Sequence, residues 1–518
     1  MAERLVTIGR VGGPAAALTI VALVGAAFAG VLWRSGGALA LEPSDLAALR
    51  FTVTQAFVSA ALSIALAIPV ARALARRRFV GRGLLITLLG APFILPVIVA
   101  VLGLIAVFGR SGWINLALGS LGIAPISIYG FWGVVLAHVF FNLPLATRLI
   151  LQGWQSQPAE TFRLAALLGL PPGTIFRAIE WPILRQVGPG AFALIFAICL
   201  TSFAVALTLG GGPRATTLEL AIYEAFRFDF DLARAAGLSL VQLLIAGAAA
   251  ALALCLIPSI PVLSERGRLL ERHDAPVGLR WWGDMLAITF AAMFLLLPIA
   301  ALVAKGAGAL LELPPSVWSA AWTSVRIALL STLIMLSLAV PLAGWIASIR
   351  FGGIEAIGLL GLAVSPLTIG TGWFVLLHVV TNPAALTLPV TALVNALMTL
   401  PFALRALVPA LRQGHAGQGR LAAALGLRGW RYWVFIALPL ARAPLGFAAG
   451  LCAALSVGDL GVVALFASPE QATLPLQMAR LMGAYRMETA AGAALLLLGL
   501  AFGVFWICDK LGRGRVTA

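Results

Sequence analysis

Apolar residues in this chain come in long unbroken runs, and short polar segments rich in Arg separate them. A helix that is apolar all round is stable only inside a large core or a bilayer. In the first half the runs lie near 14–33, 51–72, 84–108, 129–151, 187–209 and 236–261. In the second they lie near 283–304, 323–346, 355–378, 387–410, 443–466 and 489–508. Roughly 20 apolar residues cross the ~30 Å of a bilayer's hydrocarbon as a helix. The pattern therefore predicts an all-α membrane protein with about twelve spans.

Composition agrees. The chain has 518 residues, 61% of them hydrophobic and 10% charged, against roughly 45–50% and ~25% in soluble domains. Fifty-four glycines suit membrane helices that approach closely through small side chains. The formal net charge of +16 does not call for a nucleic-acid partner, because the Arg residues sit in short loops between spans. With both termini in the cytoplasm, 25 of the 35 Lys and Arg residues fall on the cytoplasmic side, as the positive-inside bias requires. Cys199, Cys255, Cys452 and Cys508 lie inside apolar runs and read as small core residues. Ala27-Phe28-Ala29 resembles a cleavage site, so a removable leader is an alternative reading of the first run.

The two halves repeat each other. RLAALLGLPPGTIFRAIEWP begins at Arg163 and RLAAALGLRGWRYWVFIALP at Arg420, 257 residues on. NLPLATRLIL, with Pro144 and Arg148, precedes the first cassette; TLPFALRALV, with Pro401 and Arg405, precedes the second at the same offset. Pro69 pairs with Pro341, Leu95-Pro96 with Ser365-Pro366, and ARAAG from Ala233 with ETAAG from Glu488. The expected organisation is a first half over 1–262 (core 51–262), a charged linker over 263–280 and a second half over 281–518 (core 322–510). Six spans in each half give both the same orientation, related by an axis along the membrane normal.

Each cassette predicts a helix, a break and a second helix. Gly169 and Gly426 can end the first helix in a left-handed cap, Pro171 and Pro172 forbid its continuation, and Pro182 closes the segment. Gly426 and Gly429 stand in place of the prolines in the second copy. One such helix alone could simply lie on lipid headgroups; its recurrence at matching places favours docking to another protein.

The period and closing Pro resemble the EAA loop of ABC importer permeases. The family's leading Glu is replaced by Arg163 and Arg420, and Glu160 lies one turn before the first copy. The stretch from Phe192 to Gln242, with IEWPILRQ after the first cassette, is similar to bacterial thiamine ABC transporter permeases. The resemblance implies two fused six-helix halves of type I importer (MetI-like) fold in a bacterial inner membrane, with coupling loops at 158–185 and 415–442. It implies ATPase-contacting residues Arg163, Ala165, Ala166, Gly169, Pro182, Arg420, Ala422, Ala423, Gly426 and Pro439. It also implies two copies of an ABC ATPase subunit, a periplasmic binding protein, and ATP and Mg held by the ATPase, with no cofactor in this chain.

A phosphate-binding loop needs Gly-Lys-Ser/Thr, but the two lysines, Lys305 and Lys510, follow Ala304 and Asp509. The chain is therefore not read as an enzyme, and energy comes from a partner or an ion gradient. Ionisable residues inside spans, the mark of gradient coupling, are few: Asp459, His138 and His378, the histidines read as packed residues. No metal spacing stands out. Asp459, Trp373 and Phe203 are candidates for the substrate pathway, as an acid and two aromatic faces for a cation. Glu219 and Glu224, with Asp229 and Asp231 in the same outer loop, are candidates for docking the binding protein. A ferric-iron-type permease and a gradient-driven transporter remain as alternatives.

Overall fold

The computed structural model describes residues 7–35, 42–90, 92, 94–210, 212, 215–256, 279–349, 361, 364–427, 429–466 and 471–513. The linker read at 263–280 lies outside them, except that helix has begun at Leu279. In the first half the helices are α1 (Thr7–Ser35), α2 (Pro43–Arg76), α3 (Arg82–Leu88), α4 (Val97–Phe108), α5 (Trp113–Ser120), α6 (Phe131–Gln155), α7 (Ala159–Leu167), α8 (Pro172–Ile175), α9 (Trp181–Leu200), α10 (Phe203–Leu209), α11 (Leu218–Arg227) and α12 (Leu232–Leu256). In the second they are α13 (Leu279–Gly306), α14 (Pro315–Ser348), α15 (Pro366–Val380), α16 (Thr387–Ala424), α17 (Trp430–Tyr432), α18 (Leu438–Val457), α19 (Gly461–Phe466), α20 (Leu474–Gly483) and α21 (Met487–Arg513).

Among the described residues, eleven helical stretches are long and apolar enough to cross a membrane, and α15 is a shorter apolar helix of 15 residues. α15 belongs to the ninth span, read at 355–378. The third and fifth spans are not continuous. The third span of the first half stops at Leu88 and resumes at Val97, after Pro96, whose missing N–H and fixed φ do not fit a helix interior. The fifth spans break at Thr201-Ser202 and at 458–460.

The repeat reaches individual hydrogen bonds. The Leu218 N–H donates to Thr52 Oγ1 at 2.8 Å, and the Leu474 N–H donates to Ser324 Oγ at 2.9 Å. Each bond fastens a short amphipathic helix, α11 or α20, to the long second helix of its own half.

The first helix of each half crosses to the other half. α1 packs on α14 and α15, while α13 packs on α4 and α2. Glycines permit the close approach: a Cβ added at Gly30 would lie 2.6 Å from the Gly372 carbonyl oxygen, and one at Gly103 would lie 2.7 Å from that of Pro298. An ion pair, Arg77 Nε to Asp284 at 2.8 Å, also joins α2 to α13. The halves are thus interlocked, which fixes where their shared interior lies.

Candidate functional site

The first cassette forms α7, a break and α8. Gly169 has φ +61°, and its N–H and that of Leu170 bond back to Ala166 and Ala165 at 3.0 Å. This is the glycine-capped end that satisfies the last carbonyls of a helix. The second copy repeats it, with Gly426 at φ +66° and the Leu427 N–H bonded to the Ala422 carbonyl at 2.9 Å. Gly429 is also left-handed, at φ +56°.

One expectation is corrected. Pro182 and Pro439 do not close their segments, because helix runs through both. A π-turn immediately precedes each, Phe176–Glu180 and Trp433–Ala437, at the same 257-residue offset. A Pro ring clashes with the carbonyl four residues back; widening the preceding turn removes the clash and lets the helix continue into the fifth span.

The loops rest on the second helix of their own half by different contacts. Glu180 is fully buried; Arg72 Nε reaches its carboxylate at 2.7 Å and Arg76 Nη2 approaches at 3.8 Å. The Arg72 guanidinium also covers the Phe176 ring at 4.4 Å and donates to the Pro172 carbonyl. In the second half Trp433 is buried against Gly344. Of the predicted coupling residues, Ala165 and Ala422 are buried, Ala166 is half-buried, and Arg163, Gly169, Pro182, Gly426 and Pro439 are exposed. The side chains of Arg420 and Ala423 lie outside the described set.

A cavity of about 310 Å³ lies where the broken spans meet, lined by Pro96, Ser202, Phe203, Glu219, Pro366 and Asp459 among others. It brings together two of the three predicted pathway residues, Phe203 and Asp459. Asp459 Oδ1 accepts the Gly461 N–H at 3.2 Å, capping α19, while its Oδ2 is buried with no hydrogen-bond partner among the described residues. Trp373 does not line the cavity; it packs against the core. His138 Nδ1 lies 2.8 Å from Gln55 Oε1 in a buried polar cluster, and His378 is exposed.

Glu219 is a second correction. It is 1% exposed and faces the cavity, so it is not on an outer docking surface. The segment read as an outer loop is the helix α11, capped by Thr217, which turns Leu218, Glu219, Ile222 and Phe226 inward. Glu224 is half-buried, and Asp229 and Asp231 are exposed. Asp229 approaches Arg234 at 3.5 Å, and Asp231 Oδ1 accepts the N–H groups of Ala233 and Arg234.

No family model matches the chain. Whole-length similarity to curated proteins decides the family. The chain is 38% identical over 536 residues to the thiamine transport system permease protein ThiP of Escherichia coli K12, covering 98% of this chain and 97% of the relative. It is 40% identical over 497 residues to ThiP of Salmonella typhimurium LT2, covering 90% of each. It is 40% identical over 483 residues to ThiP of Brucella abortus 2308, covering 90% of this chain and 88% of the relative.

The chain belongs to the thiamine transport system permease family.

Family membership and the eleven long apolar helical stretches make it a multi-pass membrane permease subunit. The molybdenum transport system permease protein ModB of Mycobacterium bovis is 34% identical over 213 residues, 79% of its own length but 40% of this chain. Such a ratio fits a chain built from two permease-sized halves. Within this family frame, sequence reasoning missed Glu219 at the cavity and the Arg72–Glu180 and Gly344–Trp433 contacts beneath the loops. For the first, the apolar residues Leu218, Ile222, Ala225 and Phe226, at helical spacing, could have revealed that the segment is an amphipathic helix. The second needed the repeat alignment extended from cassette to second span.

Proposed function

We propose that the chain is the membrane subunit of an ATP-driven importer of thiamine and its phosphates, receiving substrate from a periplasmic binding protein. It sits in the bacterial inner membrane with both termini cytoplasmic. Two copies of an ABC ATPase engage the α7–α8 loop and its repeat. The observation that carries this reading is the matched pair of loops, each with a left-handed glycine and a π-turn at the same 257-residue offset, in a chain of a thiamine permease family. Neither lysine stands in a Gly-Lys-Ser/Thr motif, which supports a reading in which the partner ATPase holds ATP and Mg.

Work reaches the spans through the contacts under the loops. When the ATPase dimer closes, the loops draw together; α2 and α14 follow, because Glu180 and Trp433 hold them to the loops. The halves then open outward to accept substrate, and hydrolysis resets them. A ligand can drive such a change only by differing in affinity between the two states, so closure must alter the loop contacts themselves.

Reconstituted vesicles containing permease, ATPase and binding protein test this. Thiamine uptake that requires ATP and all three components is the expected result. Uptake by the permease alone, driven by a proton or sodium gradient, would overturn the reading in favour of a secondary transporter.

A further inference from the structure

We propose that Glu219 and Asp459, one from each half, form a cation-recognising transit site in the cavity between the halves. Phe203 forms its aromatic wall. The ligand class is a flat organic monocation with hydrogen-bond donors at its edge. The proposal rests on the thiamine-importer reading and adds to it a site and an unassigned recognition residue, Glu219.

The two acids are not products of the repeat. Ser202 stands 257 residues before Asp459, at the matching break of the fifth span. Thr217 and Thr473 precede α11 and α20 at the same position, so Glu219 corresponds to Pro475. Each half therefore builds the same backbone with a neutral residue where the other carries an acid. Asp459 caps α19 through Oδ1, but neutral Ser202 and Pro475 stand at the matching positions, so the repeated backbone does not by itself call for a charge at either place.

Three of the four carboxylate oxygens, both of Glu219 and Oδ2 of Asp459, are buried with no hydrogen-bond partner among the described residues, while Asp459 Oδ1 is held by the Gly461 N–H. Burying an unpaired charge is costly, and the cost is removed when a cation or donor arrives. Ser365 and Gln242 stand near Glu219, yet neither forms a hydrogen bond of good geometry with it; burial outweighs them and raises its carboxyl to about 7. Gln242 Nε2 donates one of its N–H groups to the Leu200 carbonyl at 2.8 Å.

Shape and sign agree with the ligand class. A cavity of about 310 Å³ is at the lower end of small-molecule sites, roughly 300–1,000 Å³. The Phe203 ring is held edge-on by Tyr223 at 5.2 Å between centroids. A Cβ at Gly461 would be 3.8 Å from both Phe203 and Asp459, so ring and carboxylate meet at a bare stretch of backbone. Helices α4 and α15 both begin at this cavity, and their positive ends alone would favour an anion. The two carboxylates reverse that preference.

The test uses the complete transporter in vesicles with thiamine and a neutral isostere in which an uncharged five-membered ring replaces the thiazolium. Wild type is expected to import thiamine and to discriminate against the isostere. Glu219→Gln and Asp459→Asn are expected to lower thiamine uptake by about tenfold or more, the usual scale for losing a hydrogen bond to a charged group, and to reduce the discrimination. Glu219→Asp, which keeps the charge, restores much of both. Asp459→Ser, which installs the residue its own repeat uses, provides a second variant compatible with the fold. If the variants import thiamine as wild type does with discrimination intact, the site is wrong while the importer reading stands. If wild type imports no thiamine under ATP, both fall together.

Discussion

The Trp433 indole fills the space where Gly344 would carry a side chain, and a Cβ added at Gly344 would overlap its ring. In the repeat, Trp433 matches Phe176 at an offset of 257, and Gly344 matches Arg72 at the offset of 272 that relates Pro341 to Pro69. Arg72 lies over Phe176. The same two positions therefore join loop to second helix in both halves, by an aromatic–glycine fit in one and by a cation over a ring in the other. Gly344→Ala is expected to force the indole out of place and to cost about 1–3 kcal/mol, the usual scale of overpacking. Trp433→Phe, which installs the smaller ring of the first half, should relieve the clash. Thermal unfolding and ATP-coupled uptake of the two single variants and the double variant measure this coupling. Additive effects would show that the two residues act independently.

The first-half junction is electrostatic, and its failure should look different. Glu180 is buried and paired with Arg72 and Arg76. Arg72→Ala would leave the buried carboxylate poorly compensated, with a loss of roughly 3 kcal/mol, the low end for breaking a buried pair, because Arg72 itself is a quarter exposed. Replacing the junction whole with the second half's residues, Arg72→Gly, Phe176→Trp and Glu180→Ala, should recover much of that loss. The expected result is a triple variant that is more stable and better coupled than Arg72→Ala alone. A triple variant worse than the single would show that the two junctions are not interchangeable.

The legible parts of this molecule were those that hydropathy or backbone chemistry dictates. The spans were visible because each is a block of apolar residues, and Gly169 and Gly426 because only glycine adopts a positive φ at little cost. Helix ends were not visible: α2 and α14 each have 34 residues, about 50 Å at 1.5 Å per residue, so they run well beyond the apolar blocks that marked them. Polarity sets where a membrane begins, whereas capping and packing set where a helix ends. Glu219 was misplaced for the opposite reason. Its segment is polar enough to pass for a loop, and only the inward face of α11 shows that the acid belongs to the cavity. Trp373 shares α15 with Pro366 and Leu367, both cavity-lining, but lies about two turns further on, a distance that sequence position within a span does not reveal.

The crossed first helices make a separate prediction about assembly. α1 meets α15 where Gly30 faces the Gly372 backbone and where Gly372 faces Ala27, and α13 meets α4 where Gly103 faces Pro298. Backbones this close have no room for a side chain, since interiors are packed without spare volume. Gly372→Leu and Gly103→Leu should each separate a first helix from the opposite half and lower the unfolding temperature. Gly283→Leu, at a glycine whose added Cβ would meet nothing within 4 Å, is the control and should change little. Equal effects at all three sites would remove the special role of the crossings.

Gly169 and Gly426 offer the most direct measure of whether the two loops contribute equally. Both are exposed, and a Cβ at either would meet nothing within 4 Å, so substitution there acts through backbone conformation alone. Forcing a β-branched residue into the left-handed region costs on the order of 1–2 kcal/mol, whereas Asn tolerates it better. Gly169→Val and Gly426→Val should therefore unwind the loop end and reduce substrate-stimulated ATP hydrolysis several-fold, with Gly169→Asn and Gly426→Asn nearer wild type. The first loop has Pro171 and Pro172 after its glycine, which restrict the chain even when the cap is strained. The second has Gly429 instead and less to hold it, so Gly426→Val should be the more damaging of the pair. Hydrolysis rates for the four variants, each with saturating binding protein and thiamine, check the ranking. Indistinguishable Val and Asn variants at either position would mean that the left-handed cap is not what the ATPase contact depends on.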